Sequence, residues 1–396
     1  MTRGKQRPSQ ADESPRASAP AGAQSFLPTT VVGSYSVPEW LERLKTEFYQ
    51  RRISTAHMTE IYDVAIKAAV KDQELAGIDI VSDGELRRDN DIDYFLARFP
   101  GVHIAQRAKS DYYDYYDAEV TAPLPAGDKA SLGLAADYSF TRSLTDRPIK
   151  FSFTGPFSLS RRVTNTAYAD QADLVRALAC KLNAEARSLT DTGASFLQID
   201  EPFLAGYPEQ AALAVEAVNI VTDGVPATWA LHVCYGNRYA RPSWEGHYDF
   251  LFPAVLAARV DQLVLEFARK GPDDLRLISE YQWPSALGLG VIDVKSTSVE
   301  SPELVAARIR HALDYVTPDK LMINPDCGLR HLAPDVARGK LRAMVAGAAI
   351  VRGELGELAT PAQGGDLPGL PAPSSAEAEP DSGPAPPAPA ASPPAA

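Results

Sequence analysis

The stretch QADLVRALACKLNAEARSLTDTGASFLQIDEP (residues 171–202) sets the pattern of the whole chain. Leu174, Leu178, Leu182 and Leu189 recur at helical spacing through 171–192 and make one apolar face. The pattern then changes to SFLQID (195–200), a short strand-like run that ends on carboxylates. Strand-like runs of the same kind recur on both sides: TTVVGSY (29–35), IDIVS (78–82), IKFSFT (149–154), ATWALHVCY (227–235), QLVLEF (262–267), GLGVIDV (288–294) and LMIN (321–324). Longer amphipathic segments separate them. The one at 302–316 starts with Ser301 at the N-cap and Pro302 in the first turn. Eight strands, each followed by a helix, predict an α/β fold, a (β/α)8 TIM barrel. A doubly wound open sheet is the alternative.

Composition bounds the rest. The chain has 396 residues, which suits a single α/β barrel, and 45% of them are hydrophobic, enough for a large core. Residues 1–24 are polar and Pro/Ala-rich, and 356–396 form a Pro/Ala-rich tail. Both are expected to be disordered, which leaves 25–355 as the barrel. Residues 100–148 carry the tract DYYDYYD (111–117) and no clear βα pattern. They follow the second strand, where a barrel places active-site loops, and are expected to form an insertion or lid. With 39 basic against 51 acidic residues the net charge is −12, which argues against nucleic acid or an anionic membrane surface as the main partner. No apolar run reaches the 18 or so residues of a membrane span, and residues 1–24 lack the apolar stretch of a secretory signal. Three scattered cysteines, Cys180, Cys234 and Cys327, do not make a disulfide scaffold and suit a reducing cytoplasm. Cys180, mid-helix, reads as packing.

A barrel gathers its chemistry at the C-terminal ends of its strands. Those ends read Gly33–Ser34, Asp83–Gly84–Glu85, Gly155–Pro156, Asp200–Glu201–Pro202, His232–Val233–Cys234, Glu266, Asp293–Val294–Lys295 and Asp326–Cys327–Gly328. His232 and Cys234 stand two apart on one strand and so share a face. With Glu266 and Cys327 they form a thiolate, imidazole and carboxylate set that suits Zn2+. An ion so ligated is a poor activator of water, but it lowers the pKa of an incoming thiol. That points to alkyl transfer to sulfur rather than hydrolysis.

These motifs have a familiar order. PTTVVGS (28–34), DGELRRDNDIDYF (83–95), FTGP (153–156), QIDEP (198–202), LHVCY (231–235), LEF (265–267), GVIDVK (290–295) and NPDCGL (324–329) together resemble the C-terminal catalytic barrel of cobalamin-independent methionine synthase over roughly 27–352. The resemblance implies zinc held by His232, Cys234, Glu266 and Cys327. It implies homocysteine held by Val32, Gly33, Ser34, Glu85 and Asp200, with the two carboxylates on the ammonium and the backbone near Ser34 on the carboxylate. Asp293 and Lys295 are then the candidate catalytic residues.

Three features depart from the family pattern. The chain has room for one barrel, not two. Lys295 stands where the family has its proton-donating histidine. The folate contacts are missing: Arg162 replaces the stacking aromatic, Gly206 replaces the folate-binding glutamate, and 100–148 holds no Ser-Arg-Cys segment. The thiol half of the site is kept and the donor half is altered. The donor is therefore either a methyltetrahydropteroylglutamate held differently, with Arg161 and Arg162 on its anionic tail, or methylcobalamin or a methylated corrinoid protein. The expected reaction is methyl transfer to homocysteine, giving methionine. The alternative is zinc-dependent alkyl transfer to another thiol, as in epoxyalkane–coenzyme M transferases, but Glu85 and Asp200 suit an ammonium group rather than a sulfonate. A non-enzymatic binding protein or a metal-free uroporphyrinogen-decarboxylase-like barrel would leave the cluster at the strand ends without a purpose.

Overall fold

In the computed structural model, the described residues are 26–104, 109–125 and 132–359. The N-terminal segment 1–24 and the tail from 360 onward lie outside them. Among the described residues nine strands form: β1 (Val102–Ile104), β2 (Ala118–Val120), β3 (Phe151–Thr154), β4 (Val163–Asn165), β5 (Phe196–Asp200), β6 (Thr228–Val233), β7 (Gln262–Leu265), β8 (Ala286–Ile292) and β9 (Leu321–Pro325). Six of them pair in parallel in the order β3-β5-β6-β7-β8-β9. Three single parallel bridges close the ring: Thr29 to Ile323, Thr30 to Ile80 and Val81 to Ile149. The closed ring is the TIM barrel, and the open sheet is set aside.

The first two expected strands shrink to these bridges, each held by a few backbone hydrogen bonds such as Thr30 N–H to the Ile323 carbonyl and Lys150 N–H to the Val81 carbonyl, both at 2.9 Å, with side chains adding to the pairing. The Asp79 carboxylate accepts from both the backbone N–H and the hydroxyl of Thr29, each at 2.8 Å. The Thr30 hydroxyl donates to the Ile80 carbonyl at 2.9 Å, and Gln198 donates to the Val32 carbonyl at 2.8 Å from inside the barrel.

The helices form as their sequences dictate. In Gln171–Asp191 the four leucines of the stripe are wholly buried, and the N-cap Asp170 accepts from the Asp173 N–H. Ser301 caps Pro302–Ala312 in the expected way, accepting from Leu304. Cys180 departs from expectation: it sits off the stripe and is solvent-exposed rather than packed. The last helix, Pro334–Ala359, runs past the expected boundary at residue 355.

The region 100–148 contains more order than its sequence suggested. Helix Leu134–Arg142 buries Leu134, Tyr138 and Thr141, and Tyr138 meets Phe151 of β3 edge-to-face. It is the barrel helix between the second and third staves, hidden by a polar sequence. Upstream of it, β1 and β2 pair antiparallel, and β2 pairs parallel with β4 in a second small sheet.

Candidate active site

A cavity of about 490 Å³ opens at the C-terminal end of the barrel, lined by residues that include Val32, Gly33, Ser34, Glu85, Asp200 and Cys327. His232 and Cys234, on and just after β6, share the face that spacing by two requires, and both line this cavity. Cys327, just after β9, completes a group whose ligand atoms all lie within 4.8 Å of one another. The two sulfurs are 3.5 Å apart. That is far beyond the roughly 2.05 Å of a disulfide and near the edge of a tetrahedron with metal–sulfur bonds of about 2.3 Å. His232 Nδ1 faces the Val264 carbonyl at 3.2 Å, while its buried Nε2 has no hydrogen-bond partner. A backbone carbonyl on one ring nitrogen fixes the tautomer that leaves the other free to ligate. The neighbouring Cys234 thiol, against the effect of burial, pulls the Cys327 thiol well below its usual range, and the same contact with Cys327 pushes Cys234 up. The three side chains fit a soft divalent metal.

The carboxylates divide into two kinds. Glu85 and Asp200 face the cavity. Glu85 adopts φ 56°, a left-handed conformation rare outside glycine. It is held there by its N–H on Asp83 Oδ1 (2.9 Å), by Ser152 donating to its Oε1 (2.7 Å) and by Arg88 Nη1 at 3.0 Å. Asp200 accepts from Gln198 at 2.6 Å. Burial pushes its carboxyl up to about 7, against the pull of His232.

Glu201, Asp326 and Asp293 anchor backbone instead. Glu201 accepts from the N–H groups of Phe157 and Ser158, at the start of the helix after β3. Asp326 accepts from Phe267, Ala268 and Arg269 and so shapes the turn after β7. Asp293, expected to be catalytic, does not line the cavity: it accepts from the Lys295 N–H at 2.8 Å and holds that turn.

Glu266 and Lys295 are the other departure. Glu266 is not grouped with the three ligands, because its Oε2 receives Lys295 Nζ at 2.9 Å, and both side chains are buried. Its Oε1 lacks a hydrogen-bond partner, and Cys327 is among the charges that raise its carboxyl. Glu266 thus stands next to the sulfur cluster with one oxygen bonded to Lys295 and the other only in a long ion pair, 3.7 Å from Arg269 Nη2.

Residues 27–350 match the family described as the catalytic domain of cobalamin-independent synthase. The chain belongs to this family. It is 36% identical over 330 residues to a methionine synthase of Saccharolobus islandicus, covering 83% of this chain and 96% of that one. To a methionine synthase of Saccharolobus solfataricus it is 35% identical over 333 residues, with coverage of 83% and 96%. A solved structure of a B12-independent methionine synthase from Shewanella sp. W3-18-1, in complex with selenomethionine, superposes with a TM-score of 0.72 at 28% identity, covering 84% of this chain and 99% of that one. The matched region spans nearly the whole length of these relatives. By family this cobalamin-independent synthase barrel is a methyltransferase.

The donor half of this methionine synthase-family site has its own character. Gly206 lies so close to Trp244 that a Cβ there would fall 2.2 Å from the indole. Trp244 therefore fills the space over Gly206, leaving no room there for a side chain. It meets Phe203 edge-to-face at 5.5 Å, and both line the cavity. Arg162 lies over the Tyr115 ring at 4.3 Å, and Arg238 lies at the same distance from that ring. Sequence reasoning placed Arg162 but missed Tyr115, Arg238, Trp244 and the buried pair Arg88 and Arg330. Arg88 lies within the DGELRRDNDIDYF motif (83–95), but sequence reasoning assigned it no role. The others sit in loops whose approach to the mouth depends on the tertiary fold.

Proposed function

We propose that this barrel binds Zn2+ through His232, Cys234 and Cys327, with Glu266 as a fourth ligand, and transfers a methyl group to the thiol of homocysteine. The observation that supports this most is the His/Cys/Cys group at the floor of a cavity that also holds Asp200 and Glu85. When bound, the metal supplies a lowered thiol pKa and an electron-rich sulfur. The chain's residues do the rest. Asp200, with Glu85 beside it, meets the ammonium group of the amino acid, and the backbone around Val32–Ser34 shapes its seat. The thiol gives up its proton to solvent, its sulfur attacks the methyl carbon, the S–CH3 bond forms, and the bond from methyl to donor breaks with its electron pair going to the donor. Lys295 exchanges its partner Glu266 for a proton-accepting or anionic group of the donor side. Phe203, Trp244, Arg162 and Arg238 face the methyl donor, either a methyltetrahydropteroylglutamate or a methylated corrinoid.

The test is methionine formation by the purified chain after its metal content has been measured. Homocysteine is supplied with methyltetrahydrofolate (mono- and triglutamate) in one reaction and methylcobalamin in another. The expected result is about one zinc per chain and methionine with at least one donor. A chain that holds no zinc, or forms no methionine with either donor, overturns the reading.

A further inference from the structure

We propose that Arg330 binds the α-carboxylate of the amino-acid thiol. This deepens the reading above and rests on its claim that the thiol is an amino acid. The starting point is the charge around Glu85. Arg88, the nearer guanidinium, is committed to protein: Nη1 lies 3.0 Å from Glu85 Oε1, Nη2 donates to the Ser152 carbonyl at 2.6 Å, and the residue is not among those lining the cavity. Glu85 therefore already has its counter-charge. Arg330 is a second buried guanidinium, and it does line the cavity. Its Nη2 stands 4.0 Å from Glu85 Oε2, too far for a hydrogen bond.

Its placement is fixed from behind. Nη1 donates to the Asp89 carbonyl at 3.2 Å, and Tyr113 lies 5.5 Å from the guanidinium carbon. The backbone puts Arg330 beside the expected carboxylate seat: Leu329 N–H donates to the Ser34 carbonyl at 2.7 Å, and Val37 N–H to the Arg330 carbonyl at 3.3 Å. Gly328 brings the two segments together, since a Cβ there would collide with the Ser34 hydroxyl.

With Glu85 matched by Arg88, and the other charged residues of the wall, Asp91, Arg162 and Arg238, all held against Tyr115, Asp200 and Arg330 are the anion and the cation beside the Val32–Ser34 seat. An amino acid is a zwitterion with the same two charges. A rigid guanidinium is also the group best shaped to receive a carboxylate through two parallel hydrogen bonds. A thiol with an ammonium but no carboxylate leaves Arg330 with backbone carbonyls but no anion in hydrogen-bond contact. A thiol with an acid group but no ammonium leaves Asp200 with Gln198 but no cation in direct contact.

The experiment compares homocysteine with 3-mercaptopropylamine, the same thiol without its carboxylate, on the zinc-loaded full chain at saturating methyl donor. Homocysteine binding is followed in parallel by calorimetry. Arg330→Met should raise KM and Kd for homocysteine on the order of 10- to 100-fold, as loss of a charge-assisted hydrogen bond does. KM for 3-mercaptopropylamine and the metal content should stay unchanged, and Arg330→Lys should recover part of the loss. An equal loss for both thiols assigns Arg330 to support of the 88–89 backbone and overturns the proposal, as does an unaltered KM for homocysteine. A wild-type chain that neither binds nor methylates homocysteine removes the amino-acid thiol reading and this proposal with it. Wild-type turnover combined with an indifferent Arg330→Met variant removes this proposal alone.

Discussion

Glu266 has two claims on it, and they can be separated. Lys295 holds one oxygen at 2.9 Å, while the other has no hydrogen bond and lies 3.7 Å from Arg269 Nη2, with Cys327 among the charges acting on the carboxylate. If Glu266 is the fourth ligand, the ammonium competes with the metal for it. Lys295→Met should then bind zinc at least as tightly as wild type in a chelator competition. Its turnover should fall on the order of 100-fold, the usual scale for losing a proton-transfer group. Unchanged turnover removes Lys295 from the mechanism. Cys327→Ala should no longer hold stoichiometric zinc, and tight one-to-one binding by that variant would remove Cys327 from the ligand set. On the donor side, Gly206→Ala places a Cβ against the indole of Trp244. It should raise KM for the methyl donor while leaving KM for homocysteine alone, which steady-state titration of each substrate checks. His232, Cys234 and Cys327 were legible from sequence because strand period and barrel position together fix where they point. Arg88 and Arg330 were not, because a guanidinium reaches several residues from its own backbone and its partners are set by loops distant in sequence.

The barrel's elements show the same division. The six strands β3 and β5–β9 carry clear apolar runs, and each was legible to within a few residues. The first two staves were legible as strand-like runs, but their reduction to single bridges was not, because how far the pairing runs is set by neighbours distant in sequence, where Asp79 and Thr30 side chains supplement a short backbone ladder. Helix Leu134–Arg142 was missed because few of its residues are large and apolar, and its burial comes from the neighbouring elements. Turns between elements depend on single buried carboxylates. Asp326 accepts three N–H groups from residues 267–269, the segment that follows Glu266. Asp326→Ala leaves these donors without their acceptor, and each buried orphan costs about 1–3 kcal/mol. The expected loss is at least about 3 kcal/mol, read as a lower urea midpoint at unchanged slope. A loss below about 1 kcal/mol would mean that the turn holds itself by other contacts.

At the scale of the whole molecule, the barrel encloses a charged group that the chemistry does not use. Lys150 lies two residues before Ser152 on the same strand face, one layer deeper in the ring, and is wholly buried. Its Nζ has no hydrogen-bond partner. Burial lowers its pKa to about 7, with Asp200 pulling the other way. In the unfolded chain a lysine titrates near 10.4. Between those two values the unfolded chain binds more protons than the folded one, so folding becomes more favourable as pH rises through that window. The slope approaches about 1.4 kcal/mol per pH unit. Lys150→Met removes both the charge and the slope. The variant should therefore be more stable than wild type at pH 6.5, and its advantage should shrink steadily toward pH 9.5, as measured by urea unfolding at several pH values. Parallel pH profiles for the two proteins would show that Lys150 stays protonated inside the barrel, matched to Asp200, and that this ion pair rather than a neutral amine fills the centre of the ring.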